Sequence, residues 1–375
     1  MNQNLNTYPF YIKATTVLVG LIALVYTLFV LQDILAPIAF ALVVAILLNP
    51  LVNKLQRKGI PKVLAIFMAL LLAILVIGGL LYFISAQLVN FSDSLPAFKV
   101  KFNEHFLHLQ QWFGNTFNIS PGKRQEMIAK LSASSQKLAG GAIGGAFGIL
   151  AFVILIPIYT FLLLFYKPLL INFLHEVFRR DNADQVSDVL TETKASIQSY
   201  MVGLLLEALV VAVLNTSALL LLGVKYAVLL GVLGALLNLL PYIGGLIAIT
   251  LPVLIALVTK DGITIPLAIV VAYIIIQFID NNFLVPFLVS SRVKINAFIS
   301  IVIVLLGGAL WGISGMFLSI PFVAIIKIVF DRLPDLKPWG KLLGDDIPTR
   351  HKGQMWNRRT IPVEAAPTEE KVVDK

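Results

Sequence analysis

The chain has 375 residues, 58% of them hydrophobic and only 13% charged, with a mean hydropathy of +0.90 and a formal net charge of +9. A soluble domain carries roughly 25% charged residues, so a water-soluble globular protein is excluded; the length is read instead as about eight membrane segments of ~20 residues each. The absence of cysteine removes disulfides and thiolate chemistry. The surplus of lysine and arginine is assigned to the flanks of spans, where it sets orientation, rather than to nucleic acid.

In chain order, residues 11–31 are apolar and long enough to span, so they form a first helix rather than a cleaved signal. Residues 34–49 return and end at Asn49-Pro50. The next loop holds Lys54, Arg57, Lys58 and Lys62 with no acid, which places it and the N-terminus in the cytoplasm. Residues 63–84 then complete an N-terminal unit of three membrane helices, 1–84. Residues 85–142 form an extramembrane insert in which Phe98, Phe102, Phe106, Leu109 and Phe113 recur at helical spacing. His105 and His108 lie three apart on it, but no further ligands join them, so no metal site is expected. Residues 143–166 are a membrane helix entered through a glycine-rich stretch suited to close helix packing. Residues 167–200 are a charged, amphipathic segment on the cytoplasmic face. A C-terminal bundle occupies 201–335. Residues 336–375 are a cytoplasmic tail with little apolar periodicity and are expected to be largely disordered.

The polar residues of that bundle sit in its most apolar stretches. Hydrocarbon neither solvates a carboxylate nor bonds a broken backbone, so such groups survive at depth only against protein or a water-filled cavity. Residues 226–258 are broken at 238–245 by Pro241, Gly244 and Gly245; residues 297–330 are broken at 307–321 by Gly307, Gly308, Gly312, Gly315 and Pro321. Each is either one tilted, broken helix or a re-entrant hairpin. Between them Gln277, Asp280, Asn281, Asn282 and Pro286 interrupt another apolar run, and Glu207 lies inside the span 201–222. Asn238, Tyr242, Gln277, Asp280, Asn281, Asn282 and Glu207 are therefore the candidates for binding a solute or ion. The amides and the tyrosine offer neutral donors and acceptors, and the acids attract a cation or carry a proton. Gln277 and Asn281, four apart, share a helical face. The competing explanations are structural: a kink at Pro241 and the glycines, a tight helix crossing at 307–315, and a cap or salt bridge for Asp280. No GxxxxGK[ST], GxSxG or His/Glu metal motif occurs, so neither nucleotide-driven transport, an enzyme, nor a cofactor is expected.

The stretches NLLPYIGG at 238–245, QFIDNNFLVP at 277–286 and GGALWGISGMFLSIP at 307–321 resemble signatures of the autoinducer-2 exporter family, and the layout matches over nearly the whole chain. That resemblance implies an all-α, polytopic secondary transporter of the bacterial inner membrane. It implies a homo-oligomer (a pentamer in characterised members) and a transport domain that moves like an elevator. Known members are linked to export of autoinducer-2; others are reported to exchange sodium or lithium for protons. The expectation is thus a secondary transporter that exports a small polar solute by alternating access, with both termini cytoplasmic. The alternatives are a Na+(Li+)/H+ antiporter and, third, a non-transporting membrane scaffold.

Overall fold

The computed structural model describes residues 9–92, 153–177, 183–240, 244–260, 262–289 and 295–345. Every regular element among them is helical. The phenylalanine-rich insert with its histidine pair lies outside the described residues.

Helix α1 (Phe10–Val30) and α2 (Gln32–Arg57) are joined through Leu31 alone, and α3 (Lys62–Ser92) follows. Rows of large apolar side chains on α1 and α3 are exposed, including Leu18, Ile22, Leu75 and Val76. Such a face suits hydrocarbon rather than water. Helix α2 does not end at Asn49 as the sequence suggested but runs through Pro50 to Arg57. A mid-helix proline loses one backbone bond, and here tertiary packing offsets that loss. Val52 is buried with Ala45, Ala65, Ile66, Ala69, Leu70 and Leu164, small and branched residues that let α2, α3 and α4 (Val153–Phe165) approach. Helix α4 meets α5 (Lys167–Val177) at a bend of 64°.

Helix α6 (Ala183–Leu221) is the spine. It packs against α2 and, in the C-terminal bundle, against the helices 227–238, 264–289 and 297–332. Its 39 residues run about 58 Å at 1.5 Å per residue. The sequence suggested a charged surface segment ending near residue 200 and a separate span beyond it. The structure has one continuous helix, because no glycine or proline lies between Ala183 and Met201.

Two helical hairpins follow. In the first, α7 (Ala227–Asn238) and α8 (Gly244–Thr259) lie antiparallel. Ala227 and Leu230 share a core with Ile255 and Ala256, and Gly234 faces Ala248 across the pair. The arms have 12 and 16 residues, about 18 and 24 Å, too short to cross a ~30 Å hydrocarbon layer. The two ends of this hairpin lie together at the Leu221 end of α6, where the Lys260 side chain reaches Gly223. Helix α9 (Thr264–Ile279) then runs back and continues as a π-helix, Asp280–Val289.

The second hairpin is α10 (Ala297–Arg332). Its helical geometry fails at Trp311 and at Gly312, whose φ is +59° and ψ −139°, a backbone conformation open to glycine at no steric cost. The chain folds back there. The Ser319 hydroxyl donates to the Ile303 carbonyl at 3.1 Å, whereas sixteen residues of straight helix would separate them by about 24 Å. Gly307 and Gly315 bring their backbones into direct contact, so that a Cβ on either would strike the other's carbonyl. At its base, Asn296 donates from its backbone N–H to Leu343 O at 3.1 Å and from Nδ2 to Leu342 O at 2.8 Å, which clasps α11 (Lys337–Leu343). Arg332, at the end of the returning arm, pairs with Glu192 near the start of α6. The two hairpins therefore enter from opposite ends of α6, and neither segment is one straight, tilted helix. By length and composition five helices among the described residues could cross, α10 counted at its full length among them, or six if α4 and α5 form one bent span.

Because the chain lacks cysteine, the first hairpin is directly testable. A Cβ at Gly234 would lie 3.6 Å from that of Ala248, within the 3.5–4.5 Å that a disulfide needs. The double variant Gly234→Cys, Ala248→Cys should lose both free thiols on mild oxidation. A straight span would hold the positions about 21 Å apart and leave both thiols titratable.

Candidate functional site

The tip of the first hairpin, α6 and the α-to-π junction of α9 converge on one polar cluster. Asn238, the last residue of α7, donates from Nδ2 to Asp280 Oδ2 at 2.9 Å and reaches Glu207 Oε1 at 3.5 Å. Gln277 Nε2 donates to Asp280 Oδ2 and to Asn281 Oδ1, each at 3.3 Å. Asp280 is 2% exposed and Glu207 5%. One amide thus bridges two buried carboxylates from different helices.

The local backbone explains the placement. Pro286 has no N–H to donate and its ring crowds the carbonyl one turn earlier; the wider π-helical turn from Asp280 to Val289 accommodates it. Asp280, at the start of that turn, is buried, while Asn282 is exposed and its Nδ2 bonds to Phe278 O at 2.8 Å. On the hairpin, Gly244 lies against the Leu237 and Asn238 backbone, and Gly245 against Gln277 Oε1 and Asn238 Oδ1. A side chain at either position would push the tip away from the carboxylates.

These groups line a cavity of about 510 Å³ with Tyr200, Tyr273 and Ser300. Behind it a crevice of about 10 Å³ is lined by Asn215, Tyr273, Asn238, Gln277 and Asp280, the size of a single water site. Asp280 Oδ1, Asn215 Oδ1, the Tyr273 hydroxyl and Glu207 Oε2 are buried without a hydrogen-bond partner among the described residues. The only ion pairs among those residues, Lys327–Asp331 and Arg332–Glu192, lie elsewhere. Two buried acids with neither lysine nor arginine beside them need a proton or a cation to be tolerated in an apolar interior. Among the described residues no group of three or more histidine, cysteine or acidic side chains could hold a metal ion.

Of the residues singled out from sequence, Glu207, Asn238, Gln277, Asp280, Asn281 and Gly245 come together at the cavity. Asn282 turns away from it. Pro241 and Tyr242 lie outside the described residues. Gly307, Gly308, Gly312 and Gly315 build the second hairpin, Gly308 against Met316. Pro321 is buried in its returning arm, and Trp311 at its tip donates to Leu28 O of α1 at 2.9 Å. Ser319 is taken up by Ile303 and Gly315 carbonyls rather than by the cavity. Asn215, Tyr273, Tyr200 and Ser300 were not anticipated. The signal for Asn215 was present: an amide inside an apolar span is costly unless it is used.

A multi-pass helical protein whose bundle gathers buried carboxylates and amides from three elements against the tip of a helical hairpin has the make-up of a membrane transporter. The profile of the AI-2E family transporters matches residues 18–335, and the chain belongs to that family. It is 30% identical over 335 residues to the candidate permease PerM of Escherichia coli (strain K12), covering 86% of this chain and 94% of PerM. Over 307 residues it is 26% identical to the candidate transport protein YrrI of Bacillus subtilis (strain 168), covering 80% and 86%. Over 337 residues it is 25% identical to the candidate transport protein YhhT of Escherichia coli (strain K12), covering 88% and 94%.

Replacing Asn238 by leucine removes the bridge and leaves both carboxylates short of a donor. Unfolding of the detergent-solubilised protein should show a loss of about 1–3 kcal/mol, the usual cost of an unsatisfied buried polar group. Asn282→Ala, at the exposed neighbouring position, should stay within about 0.5 kcal/mol of the parent.

Proposed function

We propose that this protein is a secondary transporter of the bacterial inner membrane that exports a small, hydroxyl-rich polar solute of the autoinducer-2 type by alternating access. The observation that carries the reading is the cavity at the hairpin tip, where Asn238, Gln277 and Asn281 present neutral amides beside Glu207 and Asp280. Amides match hydroxyls as both donor and acceptor, and the acids supply a place for a coupling proton or cation. Family membership supports the transporter class.

In this reading the C-terminal bundle together with the whole of α6 (183–335) is the moving unit and 1–84 the scaffold, within a homo-oligomer whose chains each carry a site. The basic α2–α3 turn faces the cytoplasm, as do both termini. Hairpins that enter from opposite sides provide one gate toward each compartment, the arrangement that alternating access requires.

A second reading, exchange of sodium or lithium for protons, is favoured by one specific feature. The crevice behind Asp280 gathers unpartnered oxygens of Asn215, Tyr273 and Asp280, and hard monovalent cations take oxygen ligands.

Proteoliposomes distinguish the two. Uptake of labelled autoinducer-2 that depends on an imposed pH or sodium gradient, and that falls at least tenfold in Asp280→Asn, is the expected result. Proton movement driven by sodium or lithium, with no solute uptake, would move the assignment to an ion exchanger. Uptake by Asp280→Asn with unchanged pH dependence would remove Asp280 from the coupling step.

A further inference from the structure

Away from the cavity, Lys167 lies within electrostatic range of Lys62 and Lys194, on two other helices, at the end of the bundle that carries the α2–α3 turn. Lys167, first residue of α5, donates to Asn49 Oδ1 at 2.9 Å. Lys62, first residue of α3, donates to the Phe165 carbonyl at 2.7 Å, its ammonium 5.3 Å from the centre of that ring. Lys194 of α6 lies within electrostatic range: burial first, then the charges of Lys194 and Lys62, hold Lys167 below the usual lysine range. None of the three pairs with a carboxylate among the described residues.

Asn49 makes this more than a cluster of charges. It is 5% exposed, its oxygen is taken by Lys167, and its Nδ2 donates to nothing among the described residues. The locus therefore offers an unused amide donor and three ammonium groups, with no acid opposite. Its complement is an anion with several oxygens, such as a phosphate group.

The surroundings say where that phosphate comes from. Exposed Leu64 and Phe67 on α3 and exposed Leu169 and Phe173 on α5 flank the lysines with apolar surface. Helix α5 leaves the line of α4 at 64°. Lys54, Arg57 and Lys58 add positive charge on the adjoining turn. A soluble anion has no use for the apolar flanks, whereas acyl chains do. Basic recesses between membrane helices at a leaflet surface hold anionic headgroups in this way.

We propose that Lys62, Lys167, Lys194 and Asn49 form a binding site for the phosphate headgroup of an anionic phospholipid, seated against the bend between α4 and α5.

The test is a thermal-unfolding titration of the full-length protein in detergent with phosphatidylglycerol, phosphatidylcholine or inorganic phosphate. Phosphatidylglycerol should raise the unfolding temperature saturably, and the other two should not. Each lysine changed to glutamine should weaken the apparent affinity about fivefold, the effect of one basic residue at an anionic surface. The triple variant Lys62→Gln, Lys167→Gln, Lys194→Gln should show no shift. Should the triple variant fail to fold, Lys194→Glu alone, at an exposed position, should weaken phosphatidylglycerol binding beyond Lys194→Gln. An equal shift with phosphatidylcholine, or undiminished affinity in the folded variants, overturns the proposal; an equal shift with inorganic phosphate overturns the lipid as its source.

Discussion

A single amide, Asn238, bridges two buried carboxylates from different helices, and among the described residues neither acid is paired with a lysine or arginine. It can do so only because the chain reverses direction inside the bilayer's thickness. Hydrocarbon offers no partner for a free N–H or C=O, so a reversal there must be enclosed by protein. The first hairpin meets that demand by laying its arms along each other, and by letting Gly244 and Gly245 press its tip onto α6 and α9. The site and the hairpin are thus one construction: the acids require a donor at that depth, and the turn that delivers the donor requires the glycines.

The second hairpin solves the same problem from the other face with different means. Here contact is backbone on backbone at Gly307 and Gly315, reinforced by the Ser319 hydroxyl, which donates to Ile303 at 3.1 Å and to Gly315 at 2.5 Å. Its tip is anchored by the Trp311 indole on the α1 backbone and its base by Asn296 and Arg332. None of these groups serves the cavity directly, yet Ser300 and Ile320, one on each arm, form part of its wall. Glycine density in an apolar segment therefore closes backbone on backbone in this hairpin and seats the tip against Asn238 and Gln277 in the other.

Much of this was legible in the chain. Glu207, Gln277 and Asp280 announce themselves because a charged or amide side chain in an apolar run must be used for something. The helical class follows from composition. The path of the backbone was less accessible. Residues 226–258 and 297–330 have a length and hydropathy that suit a tilted span as well as a hairpin. What separates the two is contact between positions fourteen to sixteen apart, Gly234 with Ala248 and Ile303 with Ser319, which no local pattern encodes. Asn282 looked equivalent to Asn281 until the π-helical turn forced by Pro286 sent the two to different surroundings. Asn215 and Tyr273 were passed over because a lone amide and an aromatic ring read as ordinary packing; only their unpartnered atoms beside Asp280 distinguish them. The boundary near residue 200 was drawn from a change in polarity, which a long helix crosses without a break.

That continuous helix has a mechanical consequence. At about 58 Å, α6 is roughly twice the thickness of the hydrocarbon layer, so one end stands clear of it. Glu192 on that end is tied to the foot of the second hairpin. Glu207 sits fifteen residues further along, about 22 Å away on the same rod. A stiff rod has little slack. Any tug or twist exerted on the protruding end is delivered to the carboxylate as a displacement of nearly equal size, and the foot of the second hairpin travels with it. The charged end of α6 and the carboxylate of Glu207 are therefore parts of one rigid piece, with no relay of intervening side chains between them.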